Sequence, residues 1–149
     1  MATYSVTTTP EWEAGALVPT ADVTTYATDR NWSDWLAATE AAQDAAVLDA
    51  STYVRAVWTP PVEYTEAKDD AIADAIAEAS RLALSGALLG GSAAGADARL
   101  AVSAGSVSVT YAGRSAKALR GERMALVSAM LRSAGCTGGS TINFGLRKA

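Results

Sequence analysis

The side chains that most often carry out chemistry in proteins are scarce in this sequence. It contains no histidine, so the commonest general base and the commonest metal ligand are both missing. The single cysteine, Cys136, has no base near it in sequence and is interpreted as an incidental thiol. The segment Gly90-Gly91-Ser92 lacks the lysine and the spacing of a phosphate-binding loop. We therefore predict that the protein is not an enzyme and uses no cofactor.

Three carboxylates, Asp70, Asp74 and Glu78, follow one another at four-residue spacing and would share one face of a helix. Such a row could chelate a hard cation. A row of acids on an exposed helix face is more commonly solvated, and Arg81 lies within reach of Glu78 three residues further on. We favour the solvated face and predict no metal site.

Aromatic and basic side chains raise a second possibility, binding of single-stranded nucleic acid by base stacking and phosphate contacts. The aromatic candidates are Trp32, Trp35, Trp58 and Tyr111, and the basic segment contains Arg114, Lys117, Arg120 and Arg123. The tryptophans belong to the acidic part of the chain, where phosphates would be repelled. We favour core and loop-anchoring roles for them.

Length and composition favour one soluble domain. A chain of 149 residues can bury a modest core, and half of its residues are hydrophobic, many of them alanine. No run approaches the roughly 20 apolar residues that cross a bilayer, and no signal peptide is recognisable, so we expect a cytoplasmic protein without membrane contact. One cysteine excludes an internal disulfide.

The net charge of -4 is unevenly distributed along the chain. Residues 1–113 hold 15 acids and 5 bases, a net charge of -10, whereas residues 114–149 hold 7 bases and 1 acid, a net charge of +6. An uneven solvated surface would explain this. Head-to-tail association, in which the basic end of one subunit meets the acidic face of another, would explain it equally well.

The longest helical pattern runs from Thr65 to Gly90. Thr65 suits the N-cap, and the apolar positions that include Ile72 and Ile76 recur on one face, opposite the acidic row. Leucines continue that acidic row, so the second half of the helix is apolar on both sides and must be covered. We predict that Leu84, Leu88 and Leu89 lie at or near a subunit interface, or under the Gly/Ala-rich linker over 90–98.

The remaining patterns predict a mainly α fold: a small bundle of three to four helices with a β-hairpin and an extended C-terminal tail. Residues 1–19 are predicted to form an arm and 20–134 the helical body. Within the body we predict helices over 21–29, capped by Thr20, and over 40–57, capped by Thr39. A hairpin over about 99–112 follows from the alternation of Val107, Val109 and Tyr111, and a last helix ends before Gly135.

The C-terminal tail, 135–149, is predicted to be extended. Gly138-Gly139-Ser140 is interpreted as a flexible hinge, and Ile142, Phe144 and Leu146 alternate as in a strand without a partner in its own chain. Such a segment can add to a sheet edge on another protein, and Arg147 and Lys148 would favour an acidic surface. A chain end without a role is the alternative.

The order of three motifs resembles that of the head-to-tail adaptor, or connector, proteins of tailed bacteriophages and gene transfer agents. The motifs are a short helix with Ala21-Asp22 and Tyr26, Thr52-Tyr53 near the end of the second helix, and a β segment over Ser108–Tyr111. The resemblance covers about residues 18–134. Some such proteins are classed as DnaT-like single-stranded-DNA-binding proteins, which is the alternative function.

The resemblance implies a structural virion protein at the head–tail interface, assembled in the host cytoplasm. Copies would form a ring, usually of twelve subunits, under the portal protein. The ring would extend the DNA channel, through which DNA passes without sequence-specific binding, and would be the platform for a tail, stopper or tail-terminator protein. The C-terminal tail with Ile142, Phe144, Leu146, Arg147 and Lys148 would then bind the portal.

Overall fold

The computed structural model describes residues 2–88 and 106–138, with side chains in the second range from Arg120 onward. The described part is mainly helical, as predicted. Its helices are α1 (Thr20–Asp29), α2 (Ser33–Ala37), α3 (Glu40–Val57), α4 (Glu66–Leu84) and α5 (Ser106–Ser133). Its short strands are β1 (Tyr4–Ser5), β2 (Glu11–Trp12), β3 (Trp58–Thr59) and β4 (Thr137–Gly138), paired as β1 with β2 and β3 with β4, both antiparallel.

Two of the predicted helix starts are confirmed by their caps. The Thr39 hydroxyl accepts a hydrogen bond from the Ala42 N–H, and the Thr65 hydroxyl accepts one from the Lys68 N–H. The third prediction, Thr20 as the cap of α1, is wrong by one residue. Pro19 occupies the cap position, where its fixed φ of -62° suits the extended backbone that precedes a helix.

The central helix α4 is shorter than predicted and ends at Leu84. Gly86 adopts the left-handed conformation, with φ 79°, and its N–H donates to the Ala83 carbonyl while the Ala87 N–H donates to the Leu82 carbonyl. These two bonds satisfy the last carbonyls of the helix in a Schellman motif. One glycine before the Gly90-Gly91 pair is therefore enough to end the helix.

Other helices enclose α4 at its middle. Six consecutive residues, 75–80, are buried, so no side of the helix faces water there. Its main packing partners are α3 and α5, with α1 also in contact. Full burial of one isoleucine, such as Ile72 or Ile76, stabilises a fold by about 1.5–3 kcal/mol. Beyond this stretch, Leu82 is buried and Leu84 is partly buried against the core of the same chain.

The N-terminal segment is packed rather than projecting as an arm. Strands β1 and β2 form a hairpin there, and Trp12, Leu17 and Val18 are buried in the core. The Leu17 N–H also donates to the hydroxyl of Ser51 in α3, at 2.9 Å. The threonine-rich composition, which favoured an arm or loop, concealed these few buried apolar residues.

The hairpin predicted over about 99–112 is also corrected. The backbone is helical from Ser106, where α5 begins, and 99–105 lie outside the described residues. A short alternation of apolar and polar residues predicts a strand only if a second strand supplies hydrogen bonds, whereas a helix satisfies its backbone groups locally. Downstream, α5 ends before Gly135 as predicted. Val127, Leu131 and Ala134 are buried, and Met124 and Met130 pack beside them.

The start of the tail is anchored in its own chain. Strand β4 pairs with β3, so that Gly138 lies opposite Trp58 and Thr137 opposite Thr59. Gly138 has φ 122°, and a Cβ atom at this position would clash with the carbonyl oxygen of Val57. Here glycine allows close backbone approach, so the prediction of a hinge at Gly138 was wrong.

Candidate functional site

The residues predicted to bind partners are only partly within the described structure. Ile142, Phe144, Leu146, Arg147 and Lys148 of the tail lie outside it, as does Leu89. Leu88 is 3% exposed and belongs to the hydrophobic core, and Leu84 packs against that core. The Arg120 side chain of α5 donates to the adjacent Ala87 carbonyl at 2.7 Å. Leu84 and Leu88 therefore contact their own chain. Neither side chain is exposed in a way that favours a subunit interface, so their place there stays a prediction.

Within residues 2–88 and 106–138, the structure brings together no group of three metal-ligating side chains. Cys136 is buried, and burial raises the pKa of its thiol to about 11, against a smaller lowering by the charge of Lys68. A thiol with this pKa is almost fully protonated at neutral pH and is a poor nucleophile. This arrangement fits the interpretation of Cys136 as an incidental thiol.

The acidic row on α4 is not a solvated face throughout. Asp70 is exposed and Asp74 is half-buried, but Glu78 is only 5% exposed. The Tyr26 hydroxyl of α1 donates to Glu78 Oε1 at 2.9 Å, and Arg123 of α5 lies 3.5 Å from Glu78 Oε2. Oε2 has no hydrogen bond in the described structure, so the arginine contact is an ion pair alone. The contacts of this buried carboxylate link α1, α4 and α5.

Two groups near Glu78 have raised pKa values, and the main cause in each is burial of the group itself. Burial and the hydrogen bond to Glu78 raise the pKa of Tyr26 far above its usual value. Burial also raises the pKa of Asp74, although the nearby charge of Arg30 opposes it. The Arg30 guanidinium lies over the Tyr26 ring, 3.4 Å from its centroid, and so shields the outer side of this cluster.

A second set of polar and aromatic contacts connects α2 to α4. Arg81 Nε donates to Asp34 Oδ2 at 3.0 Å, and its guanidinium lies 4.6 Å from the centroid of the Trp32 ring. The Trp32 ring in turn packs edge-on against Tyr26. Burial alone would raise the pKa of Asp34, but the hydrogen bond and charge of Arg81 outweigh it and lower that pKa. The arginine that the sequence suggested for Glu78 is thus used by Asp34.

The N-terminal segment is attached to α4 through Asp69, an acidic residue in the first turn of that helix. This carboxylate is 2% exposed and accepts hydrogen bonds from the Ala2 N–H and the Tyr64 hydroxyl. The Tyr64 ring stacks on Tyr4, with the centroids 4.2 Å apart, and the Tyr4 hydroxyl donates to the Pro61 carbonyl. Tyr64 is 5 residues from Asp69, but Ala2 is 67 residues away, and no local pattern marks that contact.

An open groove of about 330 Å³ lies between the N-terminal hairpin and β3. Its lining includes Thr9, Pro10, Glu11, Trp12, Arg55, Trp58, Thr59 and Pro60. The Trp12 indole donates to the Trp58 carbonyl at 3.2 Å, while the Trp58 indole N–H has no acceptor in the described structure. Arg55 is held by the carbonyls of Glu13 and Gly15. Glu11 and Arg55 are the charged side chains in this lining.

All four tryptophans are buried, with exposures of 8% or less. This confirms the predicted core roles of Trp32, Trp35 and Trp58, and it means that none of the indole rings offers a free face to a nucleotide base. Tyr111 belongs to α5, in the range without described side chains.

Comparison with known proteins gives no match, either to a family model or to the curated proteins or solved structures. Of the helices in the described ranges, none combines the length and the apolar character that a membrane span requires.

Proposed function

We propose that the protein is a head-to-tail adaptor: a structural virion protein that assembles as a ring under the portal and is the platform for a tail or stopper protein. The observation that carries the proposal is the order of the adaptor-like motifs along the chain. The first two of them, with Tyr26 in α1 and Tyr53 in α3, hold helices against the same central helix or its core. The third motif, over 108–111, is helical here and adds no support.

Two physical features are consistent with an assembly component. The chain segregates its charge between residues 1–113 and 114–149. The last described residue, Gly138, belongs to β4, which is paired with β3.

In this proposal the tail binds the portal by strand addition. Ile142, Phe144 and Leu146 would supply side chains on one face, and main-chain hydrogen bonds would supply much of the affinity. Arg147 and Lys148 would direct the tail to an acidic surface.

Removal of residues 139–149 tests this assignment. The truncation keeps Gly138 and the β3–β4 pair, so we expect an unchanged circular dichroism spectrum and an unchanged midpoint of thermal unfolding. We expect loss of attachment to DNA-filled heads, measured by co-sedimentation. The matched control is the full chain with Arg147→Ala and Lys148→Ala, which keeps the apolar strand and should attach more weakly and with less dependence on salt. Normal attachment of the truncated chain would move the portal-binding surface to the helical body.

A further inference from the structure

The groove between the N-terminal hairpin and β3 has the form of a site for an extended peptide. Strands β2 and β3 border it, and each has one strand partner in the part of the chain that the structure describes. Each strand therefore has a second edge at which an added strand can form main-chain hydrogen bonds. The lining also includes the rings of Pro10, Trp58 and Pro60, which suit apolar side chains.

The polar groups of this groove favour a positively charged occupant with free carbonyl groups. Trp58 is 3% exposed, and its indole N–H has no acceptor among the described residues. A buried donor without an acceptor costs free energy, which a peptide carbonyl against this ring would recover. Arg55 is bound to the carbonyls of Glu13 and Gly15. Glu11 is exposed, so its charge is available to an occupant.

Two stretches of this chain outside the described residues, 89–105 and 139–149, differ in their distance from the groove. The first is attached beyond the end of α4 and before the start of α5. These helices have 19 and 28 residues, so its attachment points lie about 28 and 42 Å along them from the helix ends that follow β3 and precede β4. The second begins after Gly138, which is paired with Trp58 of the lining. The second stretch is therefore the one that starts at the groove.

We infer that residues 139–149 dock as an extended segment in the groove of their own copy. The 11 residues after Gly138 span up to about 36 Å when extended, which is enough to follow the groove. Their main-chain carbonyls can accept from the Trp58 indole, their apolar residues alternate as strand addition requires, and two bases can lie near Glu11. The apolar residues are Ile142, Phe144 and Leu146, and the bases are Arg147 and Lys148.

Docking of this segment is weak enough to be reversed. A short connection to the groove gives an effective concentration on the order of 1 mM, and a few side chains in an open groove are expected to bind with a Kd of about the same size. The segment is then docked in about half of the copies, which moves the midpoint of thermal unfolding by only about 1 °C. Release of the segment to the portal rests on the proposed function, whereas docking itself does not.

A spin label at the end of the full chain measures docking by nuclear magnetic resonance. Ala149→Cys provides the attachment point. The native Cys136 is 4% exposed and its thiol has a pKa of about 11, so the label reacts with the introduced thiol at neutral pH. The label raises the relaxation rates of nearby amide protons in the isotope-labelled chain. We expect large increases at Thr9 and Thr59 of the groove, and small ones at Gly86 beyond the far end of α4.

Matched variants of the labelled chain separate docking from mere attachment near the groove. Phe144→Ser keeps the length and charge of the segment but weakens docking by about tenfold, so the increases at Thr9 and Thr59 should fall about fivefold. Glu11→Lys should lower them about twofold, because it places like charges together. Glu40→Lys, at an exposed acid at the other end of α3, is the control and should leave them unchanged. The same spectra show that each variant is folded.

Four results would overturn the inference. Equal rate increases in the Phe144→Ser chain and its parent would mean that attachment near the groove explains them. Increases at Gly86 as large as those at Thr9 and Thr59 would mean that the segment does not prefer the groove. An equal effect of Glu11→Lys and Glu40→Lys would remove the role of the groove's charge. Full-sized increases in a chain without spin label, mixed with the spin-labelled one, would assign the groove to the tail of a second copy.

Attachment of the full chain to DNA-filled heads is measured separately. Failed attachment of a chain whose residues 139–149 dock in the groove contradicts the proposed adaptor function alone. Normal attachment of a chain without docking contradicts the contact with the groove alone.

Discussion

Glu78 illustrates how one buried carboxylate can hold a small bundle together. It lies in the middle of α4, and its two oxygens face different neighbours, the Tyr26 hydroxyl of α1 and the Arg123 guanidinium of α5. A buried charge without partners would cost several kcal/mol, so these contacts offset desolvation as much as they add stability. They also fix the rotation of α4 between its neighbours, because a turn of the helix would leave the carboxylate unpaired.

Tyr26→Phe tests this role. It leaves Glu78 Oε1 buried without its donor and should lower the free energy of unfolding by about 1–3 kcal/mol. In a Glu78→Leu background, Tyr26→Phe should change the free energy of unfolding by less than about 0.5 kcal/mol, since the Tyr26 hydroxyl then has no acceptor to lose. Urea unfolding of the four proteins measures both values. Tyr53→Phe, at a hydroxyl without a hydrogen bond to a described residue, is the control. An equal cost of Tyr26→Phe in both backgrounds would show that the pair is not coupled.

The starts of α3 and α4 could be predicted from the sequence and the end of α4 could not, for a physical reason. Thr39 and Thr65 cap α3 and α4 through hydrogen bonds that span three residues, so the signal is local and complete in the sequence. The end of α4 depends on which of several glycines adopts positive φ. Gly86 does so because Leu88 beyond it enters the core, a requirement of tertiary packing. The pairing of β4 with β3 could not be predicted from local sequence either, since the two strands are far apart in sequence.

Glycine substitutions separate the requirements of backbone conformation from those of space. Gly121→Ala in α5 meets no neighbour and should raise the free energy of unfolding by about 0.5–1 kcal/mol. Gly15→Ala also meets no neighbour, but Gly15 has φ 88°, so this substitution should lower the free energy of unfolding by about 1–2 kcal/mol. Gly138→Ala has both positive φ and a clash with the Val57 carbonyl, and it should lower it most, by more than about 2 kcal/mol. Chemical unfolding ranks the three. A Gly138→Ala variant as stable as the wild type would mean that β4 does not pair with β3.

The bundle as a whole was predictable in outline, and its polar interior was not. Helical periodicity predicted the central helix and its apolar face with Ile72 and Ile76, because burial of one face imposes that period. The burial of Glu78 and Asp69 depends on contacts 52 and 67 residues away in sequence, with Tyr26 and Ala2. No spacing rule reports contacts at such separations. A carboxylate row that looks solvated in sequence can therefore be part of a core, and the charge of a chain segment overestimates the charge on its surface.

The difference between the charge of a segment and the charge on its surface determines how strongly the protein should bind nucleic acid. Arg120 and Arg123 belong to the basic segment, yet Arg120 donates to the Ala87 carbonyl and Arg123 pairs with Glu78, so neither is a free phosphate ligand. We expect single-stranded oligonucleotides to bind weakly at low salt and to lose that binding steeply as salt rises, as counterion release requires. Fluorescence anisotropy across a salt series measures this.

The matched variants are Arg120→Gln with Arg123→Gln, against Arg30→Gln at the C-cap of α1, which removes positive charge from the acidic part of the chain. The double substitution should lower the midpoint of thermal unfolding, because it removes a helix-terminal hydrogen bond and the counter-charge of a buried carboxylate. At low salt, the double variant and Arg30→Gln should bind single-stranded oligonucleotides with similar, weak affinity. Micromolar or tighter binding at physiological salt, lost in the double variant alone, would instead make the basic segment a genuine nucleic-acid site. The DnaT-like function would then replace the adaptor as the better account of the chain.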